Sequence, residues 1–336
     1  MRSFIKHFAQ IRVVFTLMAI MFLVSCETEK KKEEIKEVIT STFVPKFNAD
    51  SSYSYIEKQL SFGPRVPNTK PHNLTGDYII SQFKNFGWEV EEQNFESTTF
   101  DEQRLYLRNI IGSFHPERKK RVLLAAHWDT RPYADKDIER KNEPIAGAND
   151  GASGVAVLLE IARVTSKFDS LNIGLDIIFF DGEDWGEGPD QYTQPTNGLE
   201  SWWCLGSQYW SKNKHKANYS AYYGILLDMV GGNGSQFYIE DYSQAFAPSI
   251  VNKVWNKGIE LGYGRYFIKQ TGGSITDDHY FVNRYAKIPM IDIIPSNPID
   301  GSFGDFHHTH QDDLPIISKE TLKAVGQTLL AVIYNE

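Results

Sequence analysis

Cysteine is almost absent from this chain of 336 residues: Cys26 and Cys204 are its only two. Two cysteines cannot build a disulfide framework, so stability must come from core packing and any bound metal. A basic cluster is also missing, and the formal net charge is −8. That balance argues against nucleic acid as a partner. Apolar runs are short, and the longest, Val13 to Val24, falls below the length of a mature membrane span. There is no internal repeat.

What is present begins with an address. Arg2, Lys6 and Arg12 form a basic segment before the apolar run, which ends Leu23-Val24-Ser25-Cys26. Small residues followed by cysteine resemble the bacterial lipobox. The resemblance implies a signal peptide over 1–25 and a lipidated Cys26 that anchors the protein to a membrane of the bacterial cell envelope, facing the periplasm. Residues 27–36 are almost wholly charged and cannot fold alone, so 26–44 reads as a tether and 45–336 as one domain. Cys204 then reads as a small buried hydrophobe.

Within the domain, strands alternate with helices. Helical patterns cover Pro71–Phe86, Gly154–Arg163, Gln244–Leu261 and Lys319–Tyr334. Paired strands are expected at Glu89–Ser97 and Leu105–Gly112, and fully buried strands at Arg121–Ala126, Ile173–Asp181, Gly224–Leu227 and Pro289–Ile294. Continuous apolar strands interleaved with helices predict an α/β three-layer sandwich: a mostly parallel, mixed central sheet flanked by helices.

Metal-competent side chains fall at the ends of these strands. His127 and Asp129 follow the first buried strand, Glu183 and Asp184 the second and Asp228 the third, while His308 lies in the loop after the fourth. Asp150 sits in Gly147-Ala-Asn-Asp-Gly151, just before a helix it could also cap. Open α/β sheets bind ligands beyond the carboxyl ends of their strands, so these residues share one rim. Histidines with carboxylates suit zinc in an open catalytic site.

In order and spacing, His127-x-Asp129, Asp150-Gly151, Glu183-Asp184, Asp228 and His308-Thr309-x-x-Asp312 resemble the signature of the co-catalytic zinc aminopeptidases. The resemblance runs from about Tyr53 to the C-terminus. It implies that Asp150, Asp184 and His308 ligate zinc, that Glu183 is the general base, and that Asp129 orients His127. His127 and Asp228 would hold a second metal or remain as a hydrogen-bonded network.

Within that superfamily, three features resemble the bacterial glutaminyl cyclases. They are Thr276-Asp277-Asp278-His279, the residues around His127 and Asp150, and an aromatic loop containing Trp185, Trp202 and Trp203. This implies a zinc-dependent glutaminyl-peptide cyclotransferase, an acyltransferase acting on peptides or proteins with N-terminal glutamine. One zinc is expected, Trp202, Trp203 and His307 should line the substrate pocket, and Asp277 and Asp292 should join Glu183 in catalysis. Asp292, in an apolar strand, needs a polar partner, and Asp277 is expected to face it. His307 stands where the animal cyclases carry a tryptophan. A two-zinc aminopeptidase is the principal alternative, since all five ligands are present. A non-catalytic binding lipoprotein is the second.

Overall fold

The chain alternates buried, nearly continuous apolar strands with amphipathic helices, and the two segregate into layers. The computed structural model describes residues 43–188 and 191–336. The expected signal peptide, Cys26 and most of the tether lie outside the described residues, as does Pro189 of the aromatic loop. Phe43–Glu336 forms one compact unit.

Eight strands are described: β1 (Glu89–Thr98), β2 (Arg104–Phe114), β3 (Arg121–His127), β4 (Gly174–Phe180), β5 (Tyr223–Leu227), β6 (Phe237–Glu240), β7 (Phe267–Gly273) and β8 (Met290–Ile293). Six of them form the central sheet in the order β1-β2-β4-β3-β5-β8. The β1/β2 and β2/β4 pairs are antiparallel. β4, β3, β5 and β8 run parallel to one another. The small β6/β7 pair stands apart and was not anticipated.

Side-chain alternation builds the three layers. Val122, Leu124 and Ala126 of β3 join a core with Ile56, Ile79 and Leu158 from the helices on one face. Leu123 and Ala125 point the other way, into a smaller core with Ile178, Trp210 and Val282. A strand buried on both faces has no polar alternation, which is why these runs are apolar throughout.

The helices are α1 (Ala49–Leu60), α2 (Lys70–Asn85), α3 (Ala152–Lys167), α4 (Leu205–Lys212), α5 (Asp241–Phe246), α6 (Pro248–Glu260), α7 (Asp278–Phe281) and α8 (Lys319–Tyr334). The expected helix over Gln244–Leu261 is two helices, α5 and α6. Pro248 opens the second, because proline lacks an N–H for the preceding turn but suits a first turn. No helix among the described residues is long and apolar enough to cross a membrane.

A candidate metal centre at the carboxyl edge of the sheet

Parallel pairing brings the ends of β3, β4 and β5 to one edge. His127 is the last residue of β3, Glu183 and Asp184 follow β4, and Asp228 follows β5. Asp150 arrives from the loop before α3. Its carboxylate makes no capping bond to that helix, so the capping alternative fails and both oxygens are free for the site. The loop needs glycine: at Gly151 (φ 87°) a Cβ would lie 2.6 Å from the Asp129 carbonyl and 3.1 Å from the His127 ring.

Two clusters share Asp150. His127 Nε2 lies 3.0 Å from Asp150 Oδ1 and 3.2 Å from Asp228 Oδ1. On the other side, His308 Nε2 lies 3.2 Å from Asp184 Oδ1 and 3.7 Å from Asp150 Oδ2. Asp184 is 1% exposed, and neither of its carboxylate oxygens has a hydrogen-bond partner. A buried carboxylate left without donors is costly unless a cation completes it, so these residues fit a bound metal.

Distance to Asp150 does not separate His307 from His308, since both approach it, although His308 also reaches Asp184. Hydrogen bonding separates them. Lys136 Nζ contacts His307 Nδ1. Burial depresses the His307 pKa to about 2. Neutral His307 therefore accepts at Nδ1 and carries its proton on Nε2, which faces Asp150 Oδ2 at 3.9 Å. His308 is oriented the opposite way: its Nδ1 faces Asp135 Oδ1 at 3.5 Å, leaving the Nε2 lone pair toward Asp184 and Asp150. Its backbone adopts φ 58°, strain of the kind that concentrates at functional sites.

Two buried carboxylates hold the backbone of the acidic residues. Asp312 accepts from the amides of Asn149 at 2.7 Å and Asp150 at 2.9 Å. Asp129 accepts from the amides of Glu183 and Asp184, both at 3.1 Å. Asp129 Oδ1 also lies 3.6 Å from His127 Nδ1, on the side from which it was expected to orient that ring. Arg65, fully buried, donates to the carbonyls of Gly147 at 2.7 Å and Asp150 at 3.3 Å. The sequence reading assigned no role to Arg65 or Asp312. Asp312 lies inside the His308-Thr309-x-x-Asp motif, which was its only signal.

Beside the metal-competent residues lies a cavity of about 290 Å³, its walls including Glu183, Trp203, Asp228, Asp277, Phe303 and His307. A larger groove of about 590 Å³ lies by β1 and α4 and carries none of these groups. Trp203 is stacked on the His308 ring (centroids 5.8 Å apart, planes 5° apart), with the Arg131 guanidinium 4.6 Å from its ring. Trp202, expected in the pocket, is not among the lining residues. It is buried, and its Nε1 donates to Thr193 Oγ1 at 2.9 Å. Adjacent residues of an irregular loop point to different sides, and only one of the two can face the cavity.

Burial pushes the Glu183 carboxyl well above its usual range, and the nearby Asp277, Asp184 and Asp278 charges add to this against the pull of His127. Burial likewise raises Asp228 to about 7, partly offset by His127. Cys204 is buried as expected, but it is more than a hydrophobe: its Sγ lies 3.3 Å from Glu183 Oε1 and 3.9 Å from Asp277 Oδ1. Asp277 caps α7 through the Asp278 amide and also approaches Asp292, the ligand atoms of Asp277, His279 and Asp292 lying within 4.8 Å of one another.

The chain matches the model of Peptidase family M28 over residues 109–333. A structure of a Bacteroides thetaiotaomicron glutaminyl cyclase bound to N-acetylhistamine is 52% identical, with TM-score 0.83, covering 88% of this chain and 100% of that one. A Zn-dependent exopeptidase from Parabacteroides distasonis is 51% identical, with TM-score 0.83 and the same 88% and 100% coverage. The glutaminyl-peptide cyclotransferase of Dictyostelium discoideum is 25% identical over 90% of this chain and 89% of its own length. With this edge geometry and a family match spanning most of its length, the chain belongs to Peptidase family M28, within which its similarity extends to bacterial glutaminyl cyclases.

Proposed function

We propose that the protein is a zinc-dependent glutaminyl-peptide cyclotransferase, converting N-terminal glutamine to pyroglutamate with release of ammonia. The observation that carries this reading is the pairing of Glu183 and Asp277 around Cys204 Sγ, at 3.3 and 3.9 Å, on the wall of the cavity. Water activation asks for one base. Moving a proton between two substrate nitrogens uses a base with a second carboxylate beside it.

In this proposal one zinc is held by Asp150, Asp184 and His308. When bound, zinc supplies a Lewis acid that polarises the γ-carboxamide carbonyl and stabilises negative charge on its oxygen. Trp203 and His307 wall the glutamine side chain, so the α-amine is held against its own γ-carbon. Ring closure is intramolecular, and orientation alone supplies much of the acceleration. As the new C–N bond forms, Glu183 takes the amine proton and returns it to the departing nitrogen. The carboxamide C–N bond breaks and ammonia leaves. Burial of Glu183 raises its proton affinity toward that needed by a shuttle at neutral pH. Asp277 holds the N–H of the nitrogen in transit, and Asp292 backs Asp277. His127, Asp129 and Asp228 serve as a hydrogen-bonded network.

Product analysis tests this reading. A Gln-initiated dipeptide should yield ammonia with its peptide bond intact, and free glutamine would refute it. One observation favours a second reading, a two-zinc aminopeptidase: donor atoms of His127, Asp150 and Asp228 lie within 4.8 Å of one another, so a second ion has ligands.

The lipobox-like run ending in Cys26 supports a lipid-anchored envelope location facing the periplasm, with the catalytic domain presented to exported peptides. Fatty-acid labelling that is retained in Cys26→Ser would contradict it.

A further inference from the structure

Glu240 caps α5 with both oxygens, accepting the amides of Tyr242 at 2.8 Å, Ser243 at 2.6 Å and Ile275 at 3.0 Å. A carboxylate so surrounded by donors is an acceptor only. It also receives His279 Nε2 at 3.0 Å, which fixes the proton of that ring on Nε2 and turns the Nδ1 lone pair inward. The lone pair meets Asp292 Oδ2 at 3.7 Å, too far for a hydrogen bond. His279 Nδ1 is buried with no hydrogen-bond partner, and the buried Asp292 carboxyl has only the Asp277 carboxyl to share a proton with. His279 and Asp292 are fully buried and Asp277 is 5% exposed. One donor atom from each of the three lies within 4.8 Å of the others. Acceptors converging on one enclosed point repel each other unless a proton or a cation sits between them, and a cation can displace the proton.

We propose that Asp277, His279 and Asp292 form a second divalent-cation site, distinct from both clusters around Asp150, that binds zinc-like ions and inhibits the enzyme. One imidazole nitrogen and two carboxylates suit a borderline-soft ion that accepts mixed ligands. Glu240 supplies the carboxylate–histidine–metal arrangement that orients such a ligand. Asp277 lines the cavity, so the ion has an entry path and a water from the cavity completes its coordination. Occupancy removes Asp277 from the substrate nitrogen, and turnover stops. The inhibition rests on the cyclotransferase reading, whereas the binding does not.

The test is a titration of the full chain, stripped with a chelator, with zinc chloride, reading bound zinc per chain by mass spectrometry alongside ammonia release. A tight equivalent should restore turnover and a weaker second equivalent should abolish it. Asp292→Asn should lose the second equivalent and keep the tight one. Glu240→Gln leaves all three ligands and releases only the ring of His279, so it should weaken the second equivalent about 10–100-fold, and it carries the test if Asp292→Asn fails to fold. The proposal is overturned if the second equivalent persists in Asp292→Asn, is lost instead in His127→Asn, or never binds. Failure of the tight equivalent would count against the catalytic centre instead.

Discussion

Asp312→Asn removes one oxygen from a carboxylate that holds two consecutive amides, those of Asn149 at 2.7 Å and Asp150 at 2.9 Å, in a fully buried setting. The asparagine oxygen can keep one amide, and its NH₂ then opposes the other donor. A hydrogen bond to a charged acceptor contributes about 1.5–3 kcal/mol, and a stranded buried donor costs about 1–3 kcal/mol. The two overlap, so a net loss of roughly 3 kcal/mol is expected. For a domain of this size that corresponds to a fall in Tm of roughly 5–10 °C. The functional consequence is separate, because loosening the Asp150 amide frees a carboxylate shared by His127 and His308. Partners that orient metal ligands typically account for about 10–100-fold in affinity. Thermal unfolding at saturating zinc reads the first effect, and competition against a chromophoric chelator reads the second. Zinc affinity within a factor of about 2 of wild type, in a folded variant, would refute the idea that Asp312 works through Asp150.

Other substitutions probe separate parts of the account. Glu183→Gln should abolish ammonia release while a chelator assay still finds zinc bound, and retained turnover would remove Glu183 from the proton path. Trp203→Ala should raise KM by ~10-fold or more, because it strips the wall that packs on His308 and Arg131. Trp202→Phe should leave KM unchanged and lower stability by ~1 kcal/mol through its lost bond to Thr193, and equal KM effects from both tryptophans would contradict the geometry. His215 accepts from Trp210 Nε1 at 3.0 Å, and burial lowers its pKa from 6.5 to about 4. Between those pH values the unfolded chain binds the extra proton, so stability falls as pH drops through this window and is fully present above it. With part of the ring solvent-screened, the contribution is at most on the order of 3 kcal/mol. His215→Gln should flatten stability between pH 4 and 6.5, and an unchanged slope would remove His215 as its source.

Most of the sheet was legible because strands buried on both faces leave unbroken apolar runs, as in Arg121–His127 and Gly174–Phe180. Helix Lys319–Tyr334 matches its expected bounds for a similar reason, being apolar around most of its circumference. Ala49–Leu60 was missed, since its only fully apolar buried side chain is Ile56 and its start depends on the Asn48 cap. The ligand candidates were visible as polar residues at strand ends, where the parallel topology gathers them. What stayed hidden was the support. Nothing in Gly63-Pro64-Arg65 shows that the Arg65 guanidinium will be fully buried against four carbonyls, those of Trp128, Ala146, Gly147 and Asp150. The His-Thr-x-x-Asp spacing selected His308 over His307, but not the cause, which rests on Lys136 and Asp135 approaching from another loop.

The most direct measurement is anomalous scattering at the zinc edge from crystals of the zinc-loaded protein. The account predicts a peak coordinated by Asp150, Asp184 and His308 Nε2, with His307 turned to Lys136. A peak bound through His307, or one that leaves Asp184 unligated, would contradict it.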